Sequence, residues 1–389
     1  MKLLKLSATG LPLFPESLTM SFFAQQRVDE QAKKLLRPFH QDSRFYLNCV
    51  NAIIGINASG KTSVLKVILL ALDILNNAPV NHSETRDILG NAKDAVLEII
   101  FLAGKGDVCR LETHISAFRK GNDAFYRITA ETLWVKPLSS VTTKKKLTDF
   151  AGVAPFAVRS DKEEFLPDDT SIMIAYNKKK GSYIPVESLL SLTNRNVLMP
   201  VSENISADVI RFLDPTIAKL SYEHHDQKTT IQLQFKGESE IVISDPAELN
   251  RYLSSGTIKG IVTFTMAIRT LQSGGYLVID ELENHFNKEI AATLIRLFMN
   301  ASVNCNGGIL FFTTHYPELL DEFERNDSIF ITRNRNGISV SNLLSILKRN
   351  DIKKSDAYQS DMLDGTVPSY EAYLKLKKSI QSALLKGEG

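Results

Sequence analysis

From Phe45 to Ile54 the chain reads FYLNCVNAII, an apolar run of strand length that passes into a glycine-bearing polar loop. Thr62 to Asn76 then places apolar residues at helical spacing and stops at Asn76-Asn77 and Pro79. Two more wholly apolar runs, Tyr276–Ile279 and Ile309–Thr313, each lead into a polar cluster and then a helix. Buried strands alternating with helices predict a parallel sheet with helices on its faces. Elsewhere the pattern is antiparallel. Lys2 to Phe23 predicts two short strands around a Gly10–Pro15 turn. Val96 to Val135 predicts three strands, turning at Gly104-Lys105-Gly106 and Lys120-Gly121-Asn122.

Ala24 to Arg44 is polar and basic and reads as a surface excursion. Ser206 to Tyr222 predicts a helix capped by Ser206 and Asp208, kinked or split at Pro215. Strands follow at Thr230–Phe235 and Glu240–Ile243. A helix over Thr257–Gln272 closes at Gly274-Gly275, and Ser369 to Leu385 predicts a lysine-rich amphipathic helix. Nothing carries the long heptad pattern of a coiled coil.

Charge adds little, because 46 Lys and Arg stand against 44 Asp and Glu over 389 residues. A net charge of +2 favours neither nucleic acid nor a membrane surface as partner. No apolar run approaches membrane-spanning length, and Lys, Pro and Glu come too early for a signal-peptide core. Cys49, Cys109 and Cys305 follow no metal spacing. Cys49 and Cys305 lie beside apolar runs and are expected to be buried thiols, which fits a reducing cytoplasm. His224-His225 has no third ligand spaced to help and reads as a solvated turn. Lys144–Lys146 and Lys178–Lys180 read as solvated loops, with phosphate-backbone contact as the alternative.

The chemistry begins at Gly55-Ile56-Asn57-Ala58-Ser59-Gly60-Lys61-Thr62, which fits G-x-x-x-x-G-K-[ST] at each fixed position. Glycines let successive N–H groups curl round a phosphate, Lys61 reaches the outer phosphates, and the Thr62 hydroxyl ligates Mg²⁺. Lys61 is expected to project into an otherwise empty loop. The candidate nucleotide contacts are Gly55, Asn57, Ser59, Gly60, Lys61, Thr62 and Ser63, the last being in the first turn of the following helix. The strand Tyr276–Ile279 ends in Asp280-Glu281. Asp280 stands where Mg²⁺ needs a carboxylate opposite Thr62, and Glu281 where an attacking water needs a base. Leu253-Ser254-Ser255-Gly256-Thr257 opens a helix, so Ser254 and Gly256 form a second anion-binding end. His315 ends the strand Ile309–Thr313 and could reach a γ-phosphate and the attacking water.

These segments, in this order, resemble the ABC-type ATPase heads of SMC proteins, RecF and the OLD-family ATPases. They are most similar to compact bacterial AAA-family ATP-binding proteins of OLD-like type, many of them in phage-defence operons. GINASGKTS (55–63), FLDPTIAKL (212–220), YLSSGTIKGI (252–261), YLVIDELEN (276–284) and FFTTHYPEL (311–319) carry the resemblance over roughly two thirds of the chain. It implies an α/β P-loop NTPase of ABC-ATPase type, with an antiparallel β subdomain and an inserted helical lid. The implied division is 1–137 (first ATPase lobe), 138–225 (lid or partner-binding insertion), 226–345 (second lobe) and 346–389 (helical tail).

The resemblance also implies an ATPase using ATP and Mg²⁺. Ser254 and Gly256 would meet the nucleotide of an opposing head in a homodimer. Asp280 would be the Walker B aspartate, Glu281 the base and His315 the switch histidine. Two departures stand out. No Gln lies between Asp42 and Asp226 to complete the Mg²⁺ shell, and Asn287-Lys288 replaces a His-Pro pair common in these proteins. After His315, no acids follow buried strands as a Toprim nuclease site needs, so a nuclease or toxin effector would sit on another chain. Control of such an effector is preferred over DNA engagement of RecF or SMC type. A transporter subunit ranks last.

Overall fold

The computed structural model describes residues 1–104, 106–120, 123–159, 166–180, 183–192, 206–225, 228–284, 286–349, 352–366 and 370–386. Lys105, Gly121, Asn122 and Ser369, named above in turns and in the tail, lie outside the described residues. Strands β1 (Lys2–Thr9) and β2 (Leu18–Ser21) form the predicted hairpin. The expected strand at 45–54 divides at Cys49. β4 (Tyr46–Asn48) pairs with β3 (Leu36–Pro38), while β5 (Val50–Ile54) enters a different sheet. Helix α1 (Lys61–Leu75) follows the Gly-rich loop. β6 (Ala95–Ala103), β7 (Asp107–Lys120) and β8 (Asp123–Pro137) are the three predicted antiparallel strands.

The segment after Pro137 feeds both sheets. Beyond α2 (Lys144–Thr148), β9 (Pro155–Val158) extends the antiparallel sheet to the order β2-β1-β6-β7-β8-β9. Beyond α3 (Met173–Lys180), β10 (Val186–Ser188) runs parallel to β14 (Tyr276–Ile279) in the core sheet. Helix α4 (Ala207–Leu213) stops before Pro215, and the chain continues as β11 (Ile217–His225), so the second half of the predicted helix is a strand. Proline lacks the N–H the helix needs and pushes its predecessor extended; Asp214 has φ −145° and ψ 102°. Ser206 makes no side-chain capping bond there. β11 forms a small antiparallel sheet with β12 (Lys228–Phe235) and β13 (Ile241–Ile243), so His224 and His225 belong to a strand rather than a turn.

Helix α5 (Ser255–Ser273) ends on Gly274 at φ 67°, a left-handed conformation that suits glycine. α6 (Lys288–Met299), β15 (Ile309–Thr314), β16 (Ile329–Asn334) and β17 (Ile338–Asn342) complete the core sheet, in the order β10-β14-β15-β5-β16-β17. β14, β15, β5 and β16 are parallel, and β17 closes the edge antiparallel. Short helices α7 (Leu343–Ile346) and α8 (Lys354–Gln359) precede α9 (Tyr370–Lys386), whose Tyr373, Leu376 and Ile380 are exposed. Among the described residues no helix is long and apolar enough to cross a membrane.

The core strands are buried on both faces, and their alternation divides them between two apolar clusters. Tyr276, Val278, Ile309 and Phe311 pack with α1 and the antiparallel sheet. Leu277, Ile279, Leu310 and Phe312 pack with α5 and α6. The basic excursion at 24–44 is anchored rather than loose. Buried Asp327 accepts the Gln25 and Gln26 N–H groups at 2.7 and 2.9 Å, and Arg325 donates to the Arg27 carbonyl at 3.0 Å. Lys144 donates to the Gln25 and Gln26 carbonyls, so this lysine serves the fold. Cys49 is buried as expected; Cys305 is exposed, because it lies in the turn before β15 rather than in the apolar run itself.

Candidate functional site

β5 and β14 deliver the two halves of the site to the same end of the sheet, with β15 between them. Crevices beyond the carboxyl ends of parallel strands are where such sheets bind ligands. The loop leaving β5 is tightly specified. A Cβ on Gly55 would lie 2.3 Å from both Ser59 Oγ and Thr332 Oγ1, so no side chain fits. Gly60 has φ 95° and Ala58 φ 60°, both left-handed, which curls the loop before α1. β16 braces it from outside. The Ser59 and Thr332 hydroxyls are 2.8 Å apart, and Asn334 donates to the Ala58 carbonyl at 3.1 Å. Ser59 is therefore buried with its hydroxyl engaged by the protein, while Asn57 and Thr62 are exposed and Ser63 is half-buried at the start of α1.

Lys61 is not in empty space. Its Nζ donates to the Gly55 and Ile56 carbonyls at 2.9 and 3.1 Å and sits 3.1 Å from His315 Nδ1. Burial lowers its pKa, opposed by the carboxylates of Glu283, Asp280 and Glu281. An ammonium accepts no hydrogen bond, so His315 Nδ1 is the acceptor and the ring proton is on Nε2. That nitrogen faces Glu281 Oε1 at 3.4 Å. Lysine, imidazole and carboxylate thus form one line across the site.

Asp280 ends β14 with its carboxylate fixed on both oxygens. Thr62 Oγ1 donates to Oδ2 at 2.8 Å and Thr313 Oγ1 to Oδ1 at 2.6 Å. Thr313 Oγ1 also accepts the Glu281 N–H at 2.7 Å, and the Thr313 carbonyl accepts the Leu282 N–H at 3.0 Å. Glu281 has φ 52°, a strained conformation for a residue with a Cβ, costing roughly 1–2 kcal/mol. Such strain persists only where neighbours enforce it, and Thr313 is the neighbour.

The hard oxygens of Thr62 and Asp280, already in contact, are the donor types Mg²⁺ takes, with phosphate and water completing its shell. Among the described residues no three His, Cys, Asp or Glu side chains gather as a metal site.

Ser254 is the exposed N-cap of α5. Its Oγ accepts the Thr257 N–H at 3.0 Å and lies 2.8 Å from Thr257 Oγ1. These hydrogen bonds stay within the first turn, and none reaches the loop at 55–63 of its own chain. Gly256, half-buried in the same turn, adds its main chain to that end. The structure therefore brings together Lys61, Thr62, Asp280, Glu281 and His315 by direct contacts, while the Ser254 side chain bonds within its own helix turn.

Sequence reasoning missed Glu283, Thr313 and Thr332. Glu283 is buried, and its Oε1 accepts the His315 N–H. The only signal for it was a second acid two residues past Glu281. Thr313 lies within FFTTHYPEL (311–319), but that segment assigns it no role, and Thr332 sits in β16 outside the segments that carry the resemblance.

One solved structure resembling this chain is the SMC head domain from Thermotoga maritima, at 12% identity and a TM-score of 0.42, covering 88% of this chain and 99% of that one. No curated protein matches. The match at the level of family is direct: residues 50–321, from the first residue of β5 to just past His315, fit the family described as "AAA domain, putative AbiEii toxin, Type IV TA system", and the chain belongs to that family.

Proposed function

We propose that this protein binds and hydrolyses ATP with Mg²⁺, that two copies close on the nucleotide, and that closing and opening controls a partner effector. The observation that carries the reading is the line Lys61–His315–Glu281 beside the Thr62–Asp280 pair. It offers a cation and a helix end for phosphates, hard oxygens for Mg²⁺ and a carboxylate for water. Lys61 turns from its carbonyls to the phosphates, and the ring of His315 passes to the γ-phosphate. Glu281, aimed by its strained backbone, takes the proton of the attacking water. Bound Mg²⁺ offsets the phosphate charge. Ser254 and Gly256, at a positive helix end with no phosphate of their own, suit the nucleotide of an opposing copy.

The family description names a toxin of a type IV TA system, which supports a protein working beside a second component. The competing reading, DNA engagement, requires ATP-dependent binding that weakens steeply with salt. The discriminating experiment mixes purified protein with ATP and measures phosphate release, followed by co-expression with the neighbouring gene's product. Steady phosphate release that Lys61→Ala abolishes, with co-purification of the second protein, is expected. A folded protein that releases no phosphate at any concentration, alone or with its neighbour, refutes the ATPase.

A further inference from the structure

Glu283 lies in the turn after β14 and is 7% exposed. One oxygen accepts the main-chain N–H of His315, Oε2 makes no hydrogen bond among the described residues, and the carboxylate is the strongest negative charge acting on the Lys61 ammonium. A buried carboxylate oxygen without a hydrogen bond costs on the order of 1–3 kcal/mol, which the Lys61 ammonium offsets only in part. An apolar residue would avoid that cost, so the carboxylate calls for a functional account. The rest of the site supplies one. The His315 ring is held by Lys61, which an incoming phosphate would take away, and by a 3.4 Å approach to Glu281. The His315 main-chain N–H is held by Glu283. On the reading of the site given above, the ring must move while its Cα must not.

We propose that Glu283 is a positioning residue: it anchors the main chain of His315, so that the ring released by Lys61 turns about a fixed point toward the γ-phosphate and the Glu281 carboxylate. The anchor needs an acceptor oxygen at this place. Gln supplies one without the charge, and Ala supplies none.

Two measurements test this, and the first needs no nucleotide. Diethylpyrocarbonate is added to the nucleotide-free protein, and modification of His315 is followed by mass spectrometry of its peptide. Glu283→Gln should match the wild type, and Glu283→Ala should react about five-fold faster or more as the ring comes loose. In turnover, Glu283→Ala should lower kcat about ten-fold or more and Glu283→Gln should restore most of it, while any change in KM from the lost charge near Lys61 should be shared by both variants. In a His315→Ala background, Glu283→Ala should lower kcat far less than in the wild type, the remainder being the loss of its charge near Lys61. Thermal melting confirms folding. If the alanine variant does not fold, Glu283→Asp, one methylene short, is read in its place. Wild-type labelling of His315 in Glu283→Ala overturns the proposal, as does an undiminished loss in the His315→Ala background. Failure of the nucleotide reading shows separately, as Lys61→Ala and Glu281→Gln hydrolysing ATP like the wild type, and leaves the labelling result standing on its own.

Discussion

At the scale of single residues, the proposed function gives Lys61 and Glu281 separable duties. Lys61→Ala removes the cation proposed to face the phosphates, along with its contacts to the Gly55 and Ile56 carbonyls and to His315. ATP affinity measured by calorimetry should fall at least about a hundred-fold, with the protein still folded. Unchanged affinity would remove the loop from the account. Glu281→Gln keeps the shape and the strained backbone but cannot accept a proton. ATP should bind as before while turnover drops by about 10²–10⁴. Wild-type turnover would assign the base elsewhere. The placement of both residues was legible in the sequence because their surroundings are local, a Gly-rich loop and an acid pair at a strand end. The conformation of Glu281 was not, because φ 52° is imposed by Thr313, 32 residues further along.

At the scale of elements, β15 organises the site through one hydroxyl. Thr313→Val keeps strand propensity and volume but removes the donor to Asp280 and the acceptor of the Glu281 N–H. It should cost about 1–3 kcal/mol of unfolding free energy, read by denaturant titration, and slow turnover by misaiming both acids. A variant as stable and active as the wild type would make the bridge incidental.

The first residue of β1 offers a pH test. Lys2 is sunk beside Tyr276, and its ammonium donates to the carbonyls of Gly274 and Gly307. Burial, with Arg37 adding to it and Cys49 opposing, lowers its pKa to about 8. The unfolded chain keeps that proton to about pH 10.4, so between these values the unfolded state binds more protons. Stability should therefore rise with pH across this window relative to Lys2→Met; parallel pH profiles for the two proteins would contradict it.

Periodicity found most of these elements, because apolar alternation and helical spacing are local. It failed at Cys49 and Pro215, where the chain changes sheet or changes from helix to strand. Which sheet a strand joins is decided by residues far away in sequence.

At the scale of the whole molecule, the order of the motifs showed that β5, β14 and β15 share a site. It did not show that the segment after Pro137 supplies an edge strand to each large sheet, since β9 and β10 are short and bear no pattern of their own. Ser254 supplies the test of assembly. Ser254→Arg places a bulky side chain on the exposed cap of α5, whose hydroxyl bonds within its own helix turn. It should leave ATP binding to one copy nearly intact, while stopping dimer closure and hydrolysis. Mixing it with the Lys61→Ala chain pairs an intact loop with an intact cap, so recovered hydrolysis would place the site across two copies. A Ser254→Arg protein that hydrolyses normally, at a rate per chain independent of concentration, would confine the site to one.

The position of β15 also bears on synthesis. The strand that separates β5 from β14 is later in the chain than both, so the two halves of the site cannot align until residue 314 has left the ribosome. A nascent chain carrying the complete Gly-rich loop and the acid pair still lacks the threonine and histidine that aim them. During translation the nucleotide motifs thus precede the strands that join and brace them, β15 between β5 and β14 and then β16 beside the Gly-rich loop.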